Sequence, residues 1–136
     1  MKKHIYIFLL VVFTFSCNNN DDHCSSHSDP TLYGTWSLIN VSGGFAGVNQ
    51  DFEAGIITWT FDNQSQELTI INTNTEAVFD GYPSGVYDFQ VLTPEDGFIT
   101  IVLDDSVELD IDTLTNHQLI LDEGIAFDGF SYTFVK

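Results

Sequence analysis

The side chains with chemical reach fall into a few separate groups along the chain. His23, Cys24 and His27 stand close together beside Asp21, Asp22 and Asp29. Imidazole nitrogen and thiolate sulfur suit Zn²⁺ or copper, and a carboxylate completes such a shell. The segment supplies one Cys and no second cluster, and it has no large apolar side chain to hold the ligands in place. A polar tether is therefore the favoured reading, with Cys24 a lone thiol, free or paired between molecules. Glu108, Asp110 and Asp112 alternate along one strand-like stretch, so their side chains share a face at ~7 Å intervals. With Asp104 and Asp105 they offer oxygen ligands of the kind Ca²⁺ takes. No Asp-x-Asp-x-Asp-Gly loop accompanies them, and a solvated outer face is the favoured reading. No metal site is assigned.

Catalytic patterns are absent. Gly43-Gly44-x-x-Gly47 has no following Lys and no helix, which a phosphate loop requires. Gly81-Tyr82-Pro83-Ser84-Gly85 places its Ser at the wrong spacing for a nucleophile elbow. His117 follows Thr115-Asn116 in an apparent turn, with no nucleophile in its surroundings. With 20 acidic residues some carboxylates pair by chance, so pairing carries no information. Neither an enzyme nor a cofactor is expected.

The charge excludes a further class. The chain carries 20 acidic residues against Lys2, Lys3 and Lys136, a formal net charge of −17. All 20 carboxylates follow Cys17 and only one Lys does, a net of −19 for that portion. Nucleic acid demands the opposite sign and is excluded as a partner.

The N-terminal residues read as delivery. Lys2 and Lys3 precede the apolar run from Ile5 to Phe15, which is followed by Ser16 and Cys17. A bilayer-spanning helix needs ~18–20 apolar residues, so this shorter run reads as an export signal over residues 1–16. Thr14-Phe15-Ser16-Cys17 resembles a bacterial lipobox, with Thr where Leu is commonest. The resemblance implies a lipidated Cys17 and hence attachment to a membrane of the cell envelope, the outer membrane being expected and its face left open. Each buried acyl CH₂ contributes ~0.8 kcal/mol, so a multiply acylated Cys17 holds firmly. Residues 17–31 form the tether, a coil whose mean reach is about 20 Å.

From residue 32 to 136 the pattern is β throughout. Trp36 and Leu38 alternate with Thr35 and Ser37, and Ile57, Trp59 and Phe61 alternate with Thr58 and Thr60. Leu68 to Thr73, a weaker piece at Ala77 to Phe79, Val86 to Leu92 and Phe98 to Leu103 follow, separated by Gly, Pro, Asn and Asp turns. Val107 to Ile111, Gln118 to Leu121 and Phe130 to Val135 complete the set. About eight strands with short turns predict an antiparallel up-and-down meander. Closing the sheet into a barrel hides its edges, and a two-sheet sandwich is the alternative. The expected interior runs through Trp36, Leu38, Ile57, Trp59 and Phe61. It continues through Tyr87, Phe89, Ile99, Ile101 and Leu109 to Tyr132 and Phe134. These rings either cup a small hydrophobic ligand or fill the barrel.

Several features in order carry a resemblance. They are Gly34-x-Trp36 on the first strand, Gly43-Gly44-x-x-Gly47, Gly55-Ile56-Ile57-Thr58-Trp59-Thr60-Phe61, Leu114-Thr115-x-x-x-Leu119 and Tyr132-x-Phe134-x-Lys136. Together they resemble short bacterial lipocalin-like lipoproteins over residues 32–136. That resemblance implies a closed barrel, a first-strand Trp plugging its floor, and a basic residue of the last strand packed over that Trp. Lys136 is the only candidate for the basic residue. It implies a membrane-anchored module that binds a small hydrophobic ligand in the barrel, and a filled barrel with a structural or interaction role is the alternative.

The delivery reading is tested by fractionation. Replacing Cys17 with Ala should turn a protein extracted only by detergent into a soluble or unprocessed one, because residues 18–30 offer no other apolar anchor. Wild-type protein found wholly in the soluble fraction would remove the lipid anchor.

Overall fold

The computed structural model describes residues 29–93 and 97–136. The export segment, Cys17, the group His23, Cys24 and His27, and the Pro94-Glu95-Asp96 part of one expected turn lie outside the described residues.

The strands are β1 (Gly34–Gly43), β2 (Val48–Asp51), β3 (Ile57–Asp62), β4 (Glu67–Asn72) and β5 (Gly85–Leu92). They continue with β6 (Thr100–Leu103), β7 (Val107–Leu114), β8 (Gln118–Asp122) and β9 (Phe130–Val135). Every strand pairs antiparallel with the next from β3 to β9, β1 pairs with β3, and β9 returns to β1. The result is a closed eight-stranded barrel, and that closure rules out the sandwich. β2 is the extra strand. The lower half of β1 pairs with β3 (Trp36↔Trp59), and its upper half leaves β3 to pair with β2 (Gly43↔Val48).

β2 does not stand out in the sequence, because Val48-Asn49-Gln50-Asp51 is nearly all polar and lies outside the barrel wall. Ala77 to Phe79 forms no strand. It belongs to the loop between β4 and β5, whose base is tied by Ser84 Oγ, accepting from Asn72 N at 2.8 Å and donating to Asn72 O at 3.1 Å. Phe98 and Ile99 precede β6, so Ile99 is exposed rather than interior.

Alternation in β1 and β7 is broken by bulges, each inserting one unpaired residue and shifting the inward face. In β1 the register slips between Leu38 and Asn40, so inward residues run Trp36, Leu38 and then Val41. In β7 it slips between Ile111 and Thr113. Asp112 is the extra residue, which takes it out of a regular row with Glu108 and Asp110.

The core is one cluster of aromatic and aliphatic side chains inside the barrel. Trp36, Leu38, Ile57, Trp59, Phe61, Phe89, Ile101, Leu109, Tyr132 and Phe134 are all buried, as the alternation predicts. Tyr87 is half-buried and packs at the cluster's margin. Trp59 sits at the centre, with ring centroids of Phe134 at 5.0 Å, Tyr82 at 5.5 Å and Tyr132 at 6.0 Å. An eight-stranded barrel is just wide enough for side chains, and these rings occupy it.

One end of the barrel is closed by Trp36. Its Nε1 donates to the Leu32 carbonyl at 2.7 Å. Lys136 Nζ lies 4.5 Å from the indole centroid and donates to the Tyr33 carbonyl at 3.0 Å. Gly34, where the chain enters this end, adopts φ +110°, a backbone conformation that L side chains rarely take. Trp36→Ala removes a fully buried indole from this plug and should cost ~3–5 kcal/mol in urea melts. Lys136→Gln keeps the plug and should cost about 1 kcal/mol or less, the usual size of an exposed cation–π contact. A loss below half a kcal/mol for Trp36→Ala would show that the indole does not carry the floor.

Candidate functional site

At the end opposite Trp36 the barrel opens between the β4–β5 loop, the start of β7 and the β8–β9 connection. Phe79, Gly81 and Tyr82 come from the first of these, Val107 from the second, and Glu123, Phe130 and Tyr132 from the third. They line a cleft of about 310 Å³. Phe79 and Phe130 stack on one another, with centroids 4.0 Å apart and planes at 18°.

Its polar centre is Glu123. Tyr82 Oη donates to Glu123 Oε1 at 2.9 Å, and Tyr132 Oη donates to Oε2 at 2.6 Å. The two phenols reach the carboxylate from opposite sides of the molecule's connectivity, one from a loop and one from the last strand. Glu123 itself is placed by backbone pairing, its N–H donating to the Phe130 carbonyl at 2.8 Å. The β8–β9 connection then turns through a short 3₁₀ segment, Ile125–Phe127, and comes back at Gly129. Any Cβ at Gly129 would collide with the Glu123 carbonyl, so the return that positions Glu123 requires glycine.

Tyr82 is held from below and from the side. Its ring meets Trp59 edge-on, and Tyr87 meets it edge-on in turn at 6.3 Å and 80°. Tyr87 Oη donates to the Pro83 carbonyl at 2.8 Å, which pins the loop that carries Tyr82. Tyr87 is thus part of the mouth's support. Trp59 Nε1, directly beneath these rings in the packing order, is the buried side-chain polar atom without a partner among the described residues.

Burial raises the pKa of both Tyr82 and Tyr132 well above the ordinary phenol value, and the hydrogen bond to Glu123 raises each further. Both phenols therefore stay protonated and act as donors.

Of the residues expected to meet a ligand, Tyr132 alone lines this cleft. Trp36, Leu38, Ile57, Trp59, Phe61, Phe89, Ile101 and Phe134 are packed into the core beneath it, and Tyr87 buttresses its wall. Phe79, Tyr82, Val107, Glu123 and Phe130 are not signalled as a group. The available hint is large aromatic residues set inside turn-rich segments, Phe79 and Tyr82 above all, where a surface turn has no need of them.

A second, more polar cleft of about 250 Å³ lies between the β2–β3 connection and the β4–β5 loop, lined by Asp51, Phe52, Glu53, Ile56, Asn74 and Glu76. The acid groups of the β6–β7 hairpin are engaged locally. Asp104 Oδ1 accepts from Asp88 N at 2.9 Å, Asp105 Oδ1 from Gln90 Nε2 at 3.2 Å, and Asp110 Oδ1 from Thr100 Oγ1 at 2.6 Å. Among the described residues no group of three or more His, Cys, Asp or Glu side chains is arranged to hold a metal ion. His117 lies at the closed end, its carbonyl accepting from Lys136 N at 3.2 Å.

No protein-family model, curated protein or solved structure matches this chain.

The tyrosine pair gives a pH signature with a definite sign. In the unfolded chain both phenols ionise near pH 10, whereas the fold holds their protons to higher pH. Their contribution to stability is fully present below about pH 10 and is lost as pH rises from there toward the folded values. Urea midpoints should fall above pH 10, with the fall accompanied by tyrosinate absorbance at 295 nm. The double variant Tyr82→Phe with Tyr132→Phe should show a clearly shallower fall, and an unchanged one would mean that other groups govern alkaline unfolding.

Proposed function

We propose that the protein is a lipid-anchored, lipocalin-like binding module of the bacterial cell envelope that takes a small, largely apolar ligand at the mouth of its barrel. The observation that carries this reading is the aromatic cleft over a filled core, with the Phe79–Phe130 stack as one wall and Glu123 held by two phenols at its centre. The filled interior moves the expected ligand from the barrel's depth to its mouth. Its volume, about 310 Å³, is at the small end of the ligand-pocket range of roughly 300–1,000 Å³, which suits one or two rings.

The course of the chain supports the same reading. Leu32 and Tyr33 lie at the closed end beside Trp36 and Lys136, so the chain enters the barrel there. A tether from a lipidated Cys17 would therefore join the barrel at the end opposite the mouth. The outer membrane remains the proposed location, and the acidic surface argues against an anionic lipid or nucleic-acid partner. The packed interior also supports a second reading, a filled barrel with a structural or interaction role and no ligand.

A neutral fluorescent probe, 2-naphthylmethanol, separates the two. Wild-type protein should bind it saturably. Val107→Phe, which grows a ring into the cleft from β7, should weaken binding at least tenfold. Phe98→Ala, which alters an exposed apolar residue outside the cleft, should leave it unchanged. Absent binding, or equal binding by all three proteins, favours the filled barrel.

A further inference from the structure

Glu123 is the only carboxylate in the aromatic cleft, and it has no cationic partner among the described residues. The one Lys or Arg among them, Lys136, is at the other end of the barrel beside Trp36. What reaches the carboxylate instead is two neutral hydroxyls, one on each oxygen. An ionised carboxylate offers about four lone-pair positions, so each oxygen keeps acceptor capacity after accepting one hydrogen bond. The two phenols bring no counter-charge to the carboxylate, and a cation bound at its open acceptor positions would supply one.

The surroundings favour the same kind of group. Phe79, Phe130 and Tyr82 present ring surface at the cleft, and the negative face of an aromatic ring attracts a cation within about 6 Å. The two phenols fix the carboxylate in advance, so a ligand does not bear the entropy of ordering it. The formal net charge of −17 repels anionic ligands and raises the local concentration of cationic ones.

Resting on the cleft-binding reading above, we propose that the ligand is a small amphipathic amine. Its cationic nitrogen donates to the free acceptor positions of Glu123, and its flat apolar body lies along Phe79 and Phe130. The nitrogen is charged and carries N–H donors, since both the counter-charge and the remaining lone pairs call for it. The body is limited to one or two rings by the cleft's volume.

The test uses the full chain in nanodiscs of neutral phosphatidylcholine, with empty nanodiscs as the blank, in 0.15 M NaCl, where the Debye length of ~8 Å screens the diffuse surface field. Three probes share one naphthyl body and differ in the head: 2-naphthylmethylamine, 2-naphthylmethanol and 2-naphthoate. The amine should bind about tenfold tighter than the alcohol, the size a charge-assisted hydrogen bond supplies, and the carboxylate should bind weakest. Glu123→Gln should bring the amine down to the alcohol's affinity and leave the alcohol within about twofold. Glu108→Gln, which removes the same charge from the outer face of β7, should preserve the amine's advantage.

Equal affinity of amine and alcohol for the wild type overturns the amine assignment while leaving the cleft reading intact. This comparison needs no variant and so does not depend on Glu123→Gln folding. An amine advantage that survives in folded Glu123→Gln, or that Glu108→Gln removes equally, assigns the preference to diffuse charge and overturns the proposal. Failure of all three probes to bind overturns both the amine assignment and the cleft reading.

Discussion

Eight strands closed on themselves enclose a space about as wide as the side chains that point into it. In this protein those side chains include two indoles and several further rings, and Trp59 touches four of them. Aromatic side chains each bury ~150–250 Å² and prefer tilted or edge-on contacts at 4.5–7 Å, which is how these are arranged. A barrel packed in this way derives its stability from its interior and has little of that interior to offer a ligand. The open space lies instead at the rim, where rings that cap the core also wall a cleft.

The two ends of the barrel are therefore unlike. At one end a buried indole is capped by a lysine, and hydrogen bonds to Leu32 and Tyr33 bring in the start of the chain. At the other end Phe130 and Tyr132 open β9, Glu123 follows β8, and a long loop folds Phe79 and Tyr82 over the top. The closed end spends its one cation on structure. The open end holds a carboxylate with two neutral donors. Among the described residues Lys136 is the only Lys or Arg, and its position at the closed end leaves Glu123 without a basic partner among them.

Hydrogen bonding at the mouth ties the geometry of the cleft to the packed core. The Tyr132 hydroxyl is the polar tip of a ring that is itself 1 % exposed and packed on Trp59, so the geometry of Glu123 is set by the core. Tyr82 adds a second constraint from a loop that Ser84 and Tyr87 fasten to the barrel. A carboxylate positioned from both the core and a loop is more sharply oriented than one on a free turn.

The strand pattern was legible in the residues alone. Period-two alternation at Trp36 and Leu38, at Ile57, Trp59 and Phe61, and at Tyr132 and Phe134 identifies the inward face, because burial of one face of a strand enforces that period. Turn residues such as Asp62-Asn63-Gln64-Ser65-Gln66 mark their own ends, since Asp62 accepts from Gln64 N and Ser65 N within the turn. Three features depended on long-range packing. Closure rests on β9 pairing with β1, a contact between the two ends of the barrel's sequence that no local pattern specifies. The bulges that move Val41 inward and Asp112 out of its row arise from pairing geometry, which the alternation of a single strand does not record. The cleft joins Tyr82 to Glu123 across 41 residues and Phe79 to Phe130 over a longer separation still, and the aromatics set in turn-rich segments do not reveal their partners. Local residue types determine which face of a strand is buried, whereas a site assembled from loops at one rim exists only once the sheet has closed and brought those loops together.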